Sequence, residues 1–134
     1  MPMEKLTIKA TKYTPEISLD PQGTLCIMGK SYPENTFEFY TPVIEWIEAY
    51  FQGQLASKTT IHMKIIYFNS SSSKLFFDFF DLLEEHISTH TIEINWIYDS
   101  ENENVAEAGQ DFIEDFPNLN INLITLIGED YGEI

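Results

Sequence analysis

Residues 61–85 read IHMKIIYFNSSSSKLFFDFFDLLEE. With Thr59 and Thr60 before it, the first part is a β-rich run that becomes continuously apolar at its end, as in a central strand covered on both faces. After the serines, Leu75, Phe76, Phe79, Leu82, Leu83 and Ile87 recur at helical spacing, while Lys74, Asp78, Asp81 and Glu85 follow one another on the opposite side. A strand thus runs directly into an amphipathic helix, and only Asn69 and the four serines 70–73 lie between them. Such a junction implies a parallel crossover, so it sets the fold class. The four hydroxyls have three readings: a cap and loop, a phosphorylation site, or a nucleophile or ligand loop.

The flanking segments extend the pattern in both directions. EISLD (16–20) and TLCIMGKS (24–31) alternate around the turn signal PQG (21–23) and form a β-hairpin; LTIKATKY (6–13) adds a short strand before it. In SYPENTFEFYTPVIEWIEAYF (31–51), Asn35 and Glu38 have capping-box spacing. Pro42 is tolerated only in a first turn, so this helix either starts near Thr41 or bends there. Val43, Ile44, Trp46, Ile47, Tyr50 and Phe51 give it a broad apolar face, and Trp46 and Trp96 are expected in the core. TIEINWIY (91–98) is a further strand, and NVAEAGQDFIEDF (104–116) is a third helix stopped by Pro117 and Asn118. NINLITLI (120–127) is the last strand, and GEDYGEI (128–134) is expected to be a frayed acidic tail. The predicted fold is α/β: a single domain over 1–134 with a mixed, mostly parallel sheet opened by a β-hairpin and helices mainly on one face.

Composition narrows the function. The chain has 134 residues, 43% hydrophobic and 14% aromatic, enough for a sizeable core. No apolar run approaches the ~18 residues of a membrane span, and MPMEKLTIKA lacks the apolar segment of a signal peptide. Cys26 is the only cysteine and sits in the apolar alternation TLCIMG, so a buried thiol in a reducing cytoplasm is expected. The net charge of −15 argues against nucleic acid and anionic membranes as partners. All seven basic residues are lysines within residues 1–77, balanced there by seven acids; residues 78–134 hold the other 15 acids and no Lys or Arg. A basic partner surface would be steered to that acidic half.

No metal or cofactor is expected. His86 and His90 in HISTH lack the glutamate of a zincin motif, and the helix is expected to end between them. DSENENVAE lacks the glycine of a calcium loop. A serine nucleophile needs an adjacent base. His62 lies eight residues before Ser70, roughly 25 Å along an extended strand, and His86 and His90 lie at or beyond the far end of the helix. The strand's carboxyl end and the helix N-terminus instead form the edge where α/β sheets carry function, with about four free N–H groups and a partial positive charge. A phosphate is favoured there, and Lys74, one turn beyond Ser70, is the nearby cation.

Two blocks, SYPENTFEFYTPVIEWIEAYF and YFNSSSSKLFFDFFDLLEE, followed by INWIYDSENENVAEAGQDFIEDF, resemble the SiaC family of small bacterial regulatory phosphoproteins over roughly residues 13–125. The resemblance implies a STAS-like fold and partner switching. A serine/threonine protein kinase phosphorylates one hydroxyl at the strand–helix junction, a PP2C-type phosphatase removes the phosphate, and the unphosphorylated form binds and stimulates a diguanylate cyclase in cyclic di-GMP and biofilm signalling. The family's modified hydroxyl directly follows the Asn and is usually Thr; here that position is Ser70, with Ser71 as its nearest rival. The partner surface implied around it comprises Tyr67, Asn69, Ser71 and Lys74, extended by Tyr32, Pro33, Glu34 and Asn35. No catalytic role is expected. The alternatives are a constitutive interaction adaptor whose serines only cap the helix, and a small-molecule-binding STAS-like domain using the same sheet edge.

Overall fold

A computed structural model describes residues 3–53 and 58–126. Six strands and three helices alternate as the sequence predicts: β1 (Leu6–Ile8), β2 (Glu16–Leu19), β3 (Thr24–Ser31), α1 (Thr36–Gly53), β4 (Lys58–Phe68), α2 (Ser70–Glu84), β5 (Thr91–Asp99), α3 (Glu103–Asp115) and β6 (Asn120–Leu126). The expected tail 128–134 lies outside the described residues. The strands form one sheet in sequence order. β1, β2 and β3 pair antiparallel, and β3 through β6 pair parallel. Each parallel step advances in the same direction. Right-handed crossovers therefore put all three helices on one face of the sheet.

The core lies between that face and the helices. Ile17, Leu19, Leu25, Ile61, Met63, Ile65, Ile94 and Trp96 come from the strands, and Tyr40, Ile47, Phe76, Phe80 and Leu83 from α1 and α2; all are buried. α3 approaches the sheet through Gly109, where a Cβ would lie 2.6 Å from Trp96 Cδ1 and from Leu123 Cδ2. The Trp96 indole N–H donates to the Val105 carbonyl (2.8 Å), tying helix and strand together. Trp46, also expected in the core, is only partly buried; it stacks on Tyr50 and its Nε1–H donates to the Glu4 carbonyl (2.8 Å).

One open choice, the start of α1, is decided, and two expectations are corrected. Helix α1 starts at Thr36 and runs through Pro42. Asn35 Oδ1 accepts from the Glu38 N–H (3.0 Å) and so nucleates the helix well before the proline. The Thr41 hydroxyl donates to the Phe37 carbonyl (2.7 Å) beside the proline. Helix α2 ends at Glu84, before both histidines. The chain then turns, and His86 and His90 pack their rings against Phe51. The apolar end of β4 is also not buried on both faces. A register shift pairs Gly29 with Ile65 but Lys30 with Tyr67, leaving Ile66 as the extra residue of a β-bulge. Gly29 at φ 123° takes up the backbone change on β3. The bulge turns Ile66 and Tyr67 outward, 41% and 50% exposed.

Candidate functional site: the carboxyl edge of the sheet

The carboxyl ends of β3, β4 and β5 and the N-termini of α1, α2 and α3 meet at one edge. The serine run sits in its middle. Asn69, not a serine, caps α2: its Oδ1 accepts from the Ser72 N–H at 2.9 Å. The four serines then form the first turn of the helix, where side chains diverge by about 100° per residue. Each enters a different environment.

Ser72 is fully buried. Its hydroxyl donates to the Ser31 carbonyl (2.9 Å) and lies 2.8 Å from Ser31 Oγ, which is itself 2.6 Å from the Tyr40 hydroxyl. This hub joins the end of β3 to α1 and α2. Burial pushes the Tyr40 phenol up to about 12, against a smaller lowering by the Ser31 hydrogen bond. Ser71 is exposed but engaged, donating to Asn69 Oδ1 at 3.2 Å and lying 2.8 Å from Thr36 Oγ1 at the start of α1. Ser73 is half-buried and faces α3. Ser70 is exposed, and its hydroxyl has no hydrogen-bond partner among the described residues. It opens a cleft of about 400 Å³ between α2 and α3, together with Lys74, Phe77, Asp111 and Asp115.

Beside the serines stands a ladder of tyrosines. Tyr13 meets Tyr32 edge-on with ring centroids 5.2 Å apart, and Tyr32 meets Tyr67 in the same way at 5.5 Å. The Tyr32 N–H donates to the Tyr13 carbonyl (2.8 Å) and holds the first two in register. Glu34 borders the hollow beside Tyr13 and Tyr32. Asn35 lies at the cap of α1, where its amide also donates to the Glu38 carboxylate (3.3 Å).

Most residues singled out from the sequence therefore fall on one surface. Tyr32 and Tyr67 touch, Asn69 holds Ser71, and Ser70 and Lys74 line one cleft. Pro33 does not join them: it is buried and packs inward. Tyr13, Thr36 and Ile66 were missed. The side chains of Tyr13 and Ile66 are turned outward by non-local pairing, which leaves no local signature. Asp111 and Asp115 were readable only as helical neighbours, not as neighbours of Ser70. The histidines lie elsewhere: His62 is on the opposite face of the sheet, in register with Cys26 and Asn95, and His86 and His90 surround Phe51. On that opposite face burial raises the Cys26 thiol pKa, helped by the Glu16 charge and opposed by Lys5.

The chain matches known proteins by profile, sequence and structure. The profile of the SiaC family regulatory phosphoproteins matches residues 8–126. An uncharacterized protein of Pseudomonas aeruginosa (strain UCBPP-PA14) is 40% identical over 116 residues, covering 84% of this chain and 90% of that protein. The crystal structure of apo-SiaC from Pseudomonas aeruginosa superposes with a TM-score of 0.82 at 36% identity, covering 92% of this chain and all of that one. A crystal structure of the diguanylate cyclase SiaD in complex with its activator SiaC, from the same organism, gives 0.82 at 37% identity over 90% of this chain and 99% of that one. By profile, sequence and structure, the chain belongs to the SiaC family of regulatory phosphoproteins.

Proposed function

We propose that this protein is a non-enzymatic partner-switching regulator of the cytoplasm. Its unphosphorylated form binds and activates a diguanylate cyclase, and its switch is phosphorylation of Ser70. The observation that carries the reading is the sorting of the four serines: only Ser70 is both exposed and without a hydrogen-bond partner among the described residues. Ser71, the rival acceptor, would have to give up Thr36 and Asn69 first. A serine/threonine kinase adds the phosphate and a PP2C-type phosphatase removes it. Tyr32, Glu34, Asn35, Tyr67, Asn69, Ser71 and Lys74 form the surface that the partners share.

The phosphate acts locally. It adds about −1.5 to −2 charges near neutral pH, little against the −15 of the chain. Ser70 lies at the N-terminus of α2, where an anion is favoured, and Lys74 lies one turn away. Asp111 and Asp115 border the same cleft and repel it. A partner seated over this edge would bury a dianion with one cation and two like charges nearby, and docking would be lost.

The test is mass spectrometry of the protein purified from its host, followed by capture of host proteins on the Ser70→Ala and Ser70→Asp variants. A single phosphate that vanishes in Ser70→Ala is expected. So is a captured cyclase whose synthesis of cyclic di-GMP from GTP rises with Ser70→Ala and falls at least tenfold with Ser70→Asp. A phosphate that persists in Ser70→Ala, or cyclase output equal with both variants, overturns the reading.

A further inference from the structure

The two edges of the sheet are protected unequally. The outer strand on one side, β1, is three residues long and lies between Lys5 and Lys9. Short length and lysines are common guards against edge-to-edge pairing. The outer strand on the other side, β6, has seven residues, Asn120–Leu126, with neither a charge nor a proline. Among the described residues no strand pairs with its outer side. It lies within a run of 13 residues, 116–128, without a charge; no other uncharged run in residues 78–134 exceeds seven. Asn122, Ile124 and Thr125 are exposed on it.

Helix α3 stands over this edge. Gly109 faces Trp96 of β5 and Leu123 of β6, and Ala108, Asp111, Phe112 and Asp115 border the cleft with α2. At about 100° per residue, Ala106, Gln110 and Ile113 fall on the opposite flank, above β6, while Glu103, Glu107 and Glu114 turn further out to solvent. An acidic helix thus keeps one uncharged stripe, at i, i+4 and i+7, on the side of the uncharged strand.

We infer that β6 and this flank of α3 form a self-complementary surface through which two copies of the chain pair, β6 antiparallel to β6 about a two-fold axis. Two-fold pairing sets a patch against itself, which a charged patch opposes and a neutral one permits. A basic partner finds its carboxylates elsewhere, on the outer side of α3. With the axis at Asn122, Ile121 meets Leu123 of the second copy on the helix side, both half-buried in the single chain. On the other side the two Asn122 amides meet. Each Asn122 Nδ2 uses one hydrogen on Asn95 Oδ1 (3.2 Å) and keeps another, with Oδ1, for a reciprocal pair. The strand is about 23 Å long at ~3.3 Å per residue and, with α3 above it, about 20 Å deep, so roughly 900 Å² is buried in all. That is the low end of specific interfaces, and the dimer is weak. Because β6 runs antiparallel to its copy, the two Ser70 edges face opposite ways and both stay open.

The test is sedimentation of the purified chain from about 5 to 500 µM, at about 20 and 500 mM NaCl. A monomer–dimer equilibrium is expected. It tightens at least threefold at the higher salt, because each chain carries −15; pairing between opposite charges would weaken instead. Ile124→Lys/Thr125→Lys is expected to raise Kd at least tenfold. Phe37→Lys, at a side chain 77% exposed on α1, is expected to leave it within twofold. Circular dichroism and thermal melting check the folding of each variant. In a Cys26→Ser background, Asn122→Cys is expected to form a disulfide-linked dimer under mild oxidation, since facing Cβ atoms lie about 4.5–5.5 Å apart. Asn120→Cys, which faces Ile124 of the second copy and not itself, is expected to stay unlinked. A monomer throughout the range, a dimer that persists in the edge variant, growth beyond the dimer, or Asn122→Cys linking no better than Asn120→Cys overturns the two-fold pairing. So does a monomer whose binding to the cyclase captured by Ser70→Ala falls tenfold in the edge variant, which gives the edge to a strand of the cyclase.

Discussion

At the scale of single residues, four identical side chains in a row have four fates. The helix rotates each hydroxyl into a different neighbourhood, and partners 35 to 41 residues away in sequence occupy two of them. Ser72 is structural, held in the hub with Ser31 and Tyr40. Tyr40 makes that hub pH-sensitive. In the unfolded chain its phenol ionises near 10; in the folded protein burial holds the proton to about 12. Above pH 10 the unfolded state therefore binds fewer protons, and stability falls as pH rises. The loss reaches about 2–3 kcal/mol by pH 12, at ~1.4 kcal/mol for each pH unit in that window. Tyr40→Phe is expected to cost about 1 kcal/mol at pH 8, the worth of one hydrogen bond. Urea denaturation at pH 8 and pH 11 should show that deficit shrinking or reversing. A constant deficit would mean that the Tyr40 proton is not held by folding.

At the scale of elements, helix ends and close approaches do most of the positioning. Asn69 caps α2 and orients Ser71 through the same oxygen. Asn69→Ala is expected to cost about 1 kcal/mol in chemical denaturation and to leave the Ser71 hydroxyl held by Thr36 alone. Asn102 does similar work for α3, accepting from the Val105 N–H (3.3 Å) and donating to the Ile66 carbonyl at the bulge (2.9 Å). Gly109 lets α3 lie against Trp96, whose ring is fixed by its bond to Val105 and is fully buried. Gly109→Ala gains helix propensity but overpacks this contact. A net loss of roughly 1–3 kcal/mol is expected in denaturant melts, and a gain would show that α3 can shift outward freely. The periodicity of each helix was legible from its apolar residues. The closeness of α3 to the sheet was not, because it depends on what Gly109 faces.

At the scale of the whole molecule, charge dominates. Lys58 with Glu93 (2.9 Å) is the one ion pair formed between described residues. That pair, with a hydrogen bond from Asn95, lowers the Glu93 carboxyl pKa. The remaining acids mostly repel one another, which disfavours the compact state. Raising NaCl from 20 to 300 mM should therefore raise Tm by several degrees, about 1 kcal/mol of relieved repulsion. A Tm that falls with salt would mean that attractive pairs outweigh repulsion. No helix among the described residues is long and apolar enough to cross a membrane.

The sequence by itself determined the order of elements, the mixed sheet and the placement of the serine run at a strand–helix junction. These follow from local periodicity, turn residues and the handedness of crossovers, all of which act over a few residues or through a general rule. Only the tertiary structure decided which serine is free, because Ser31, Thr36 and Tyr40 come from other elements to claim two of its neighbours. It also decided that the end of β4 bulges to expose Ile66 and Tyr67, and that Pro33 turns inward while Tyr13 completes the aromatic ladder. Each is a contact between residues distant in the chain, and no local pattern specifies where such partners will meet.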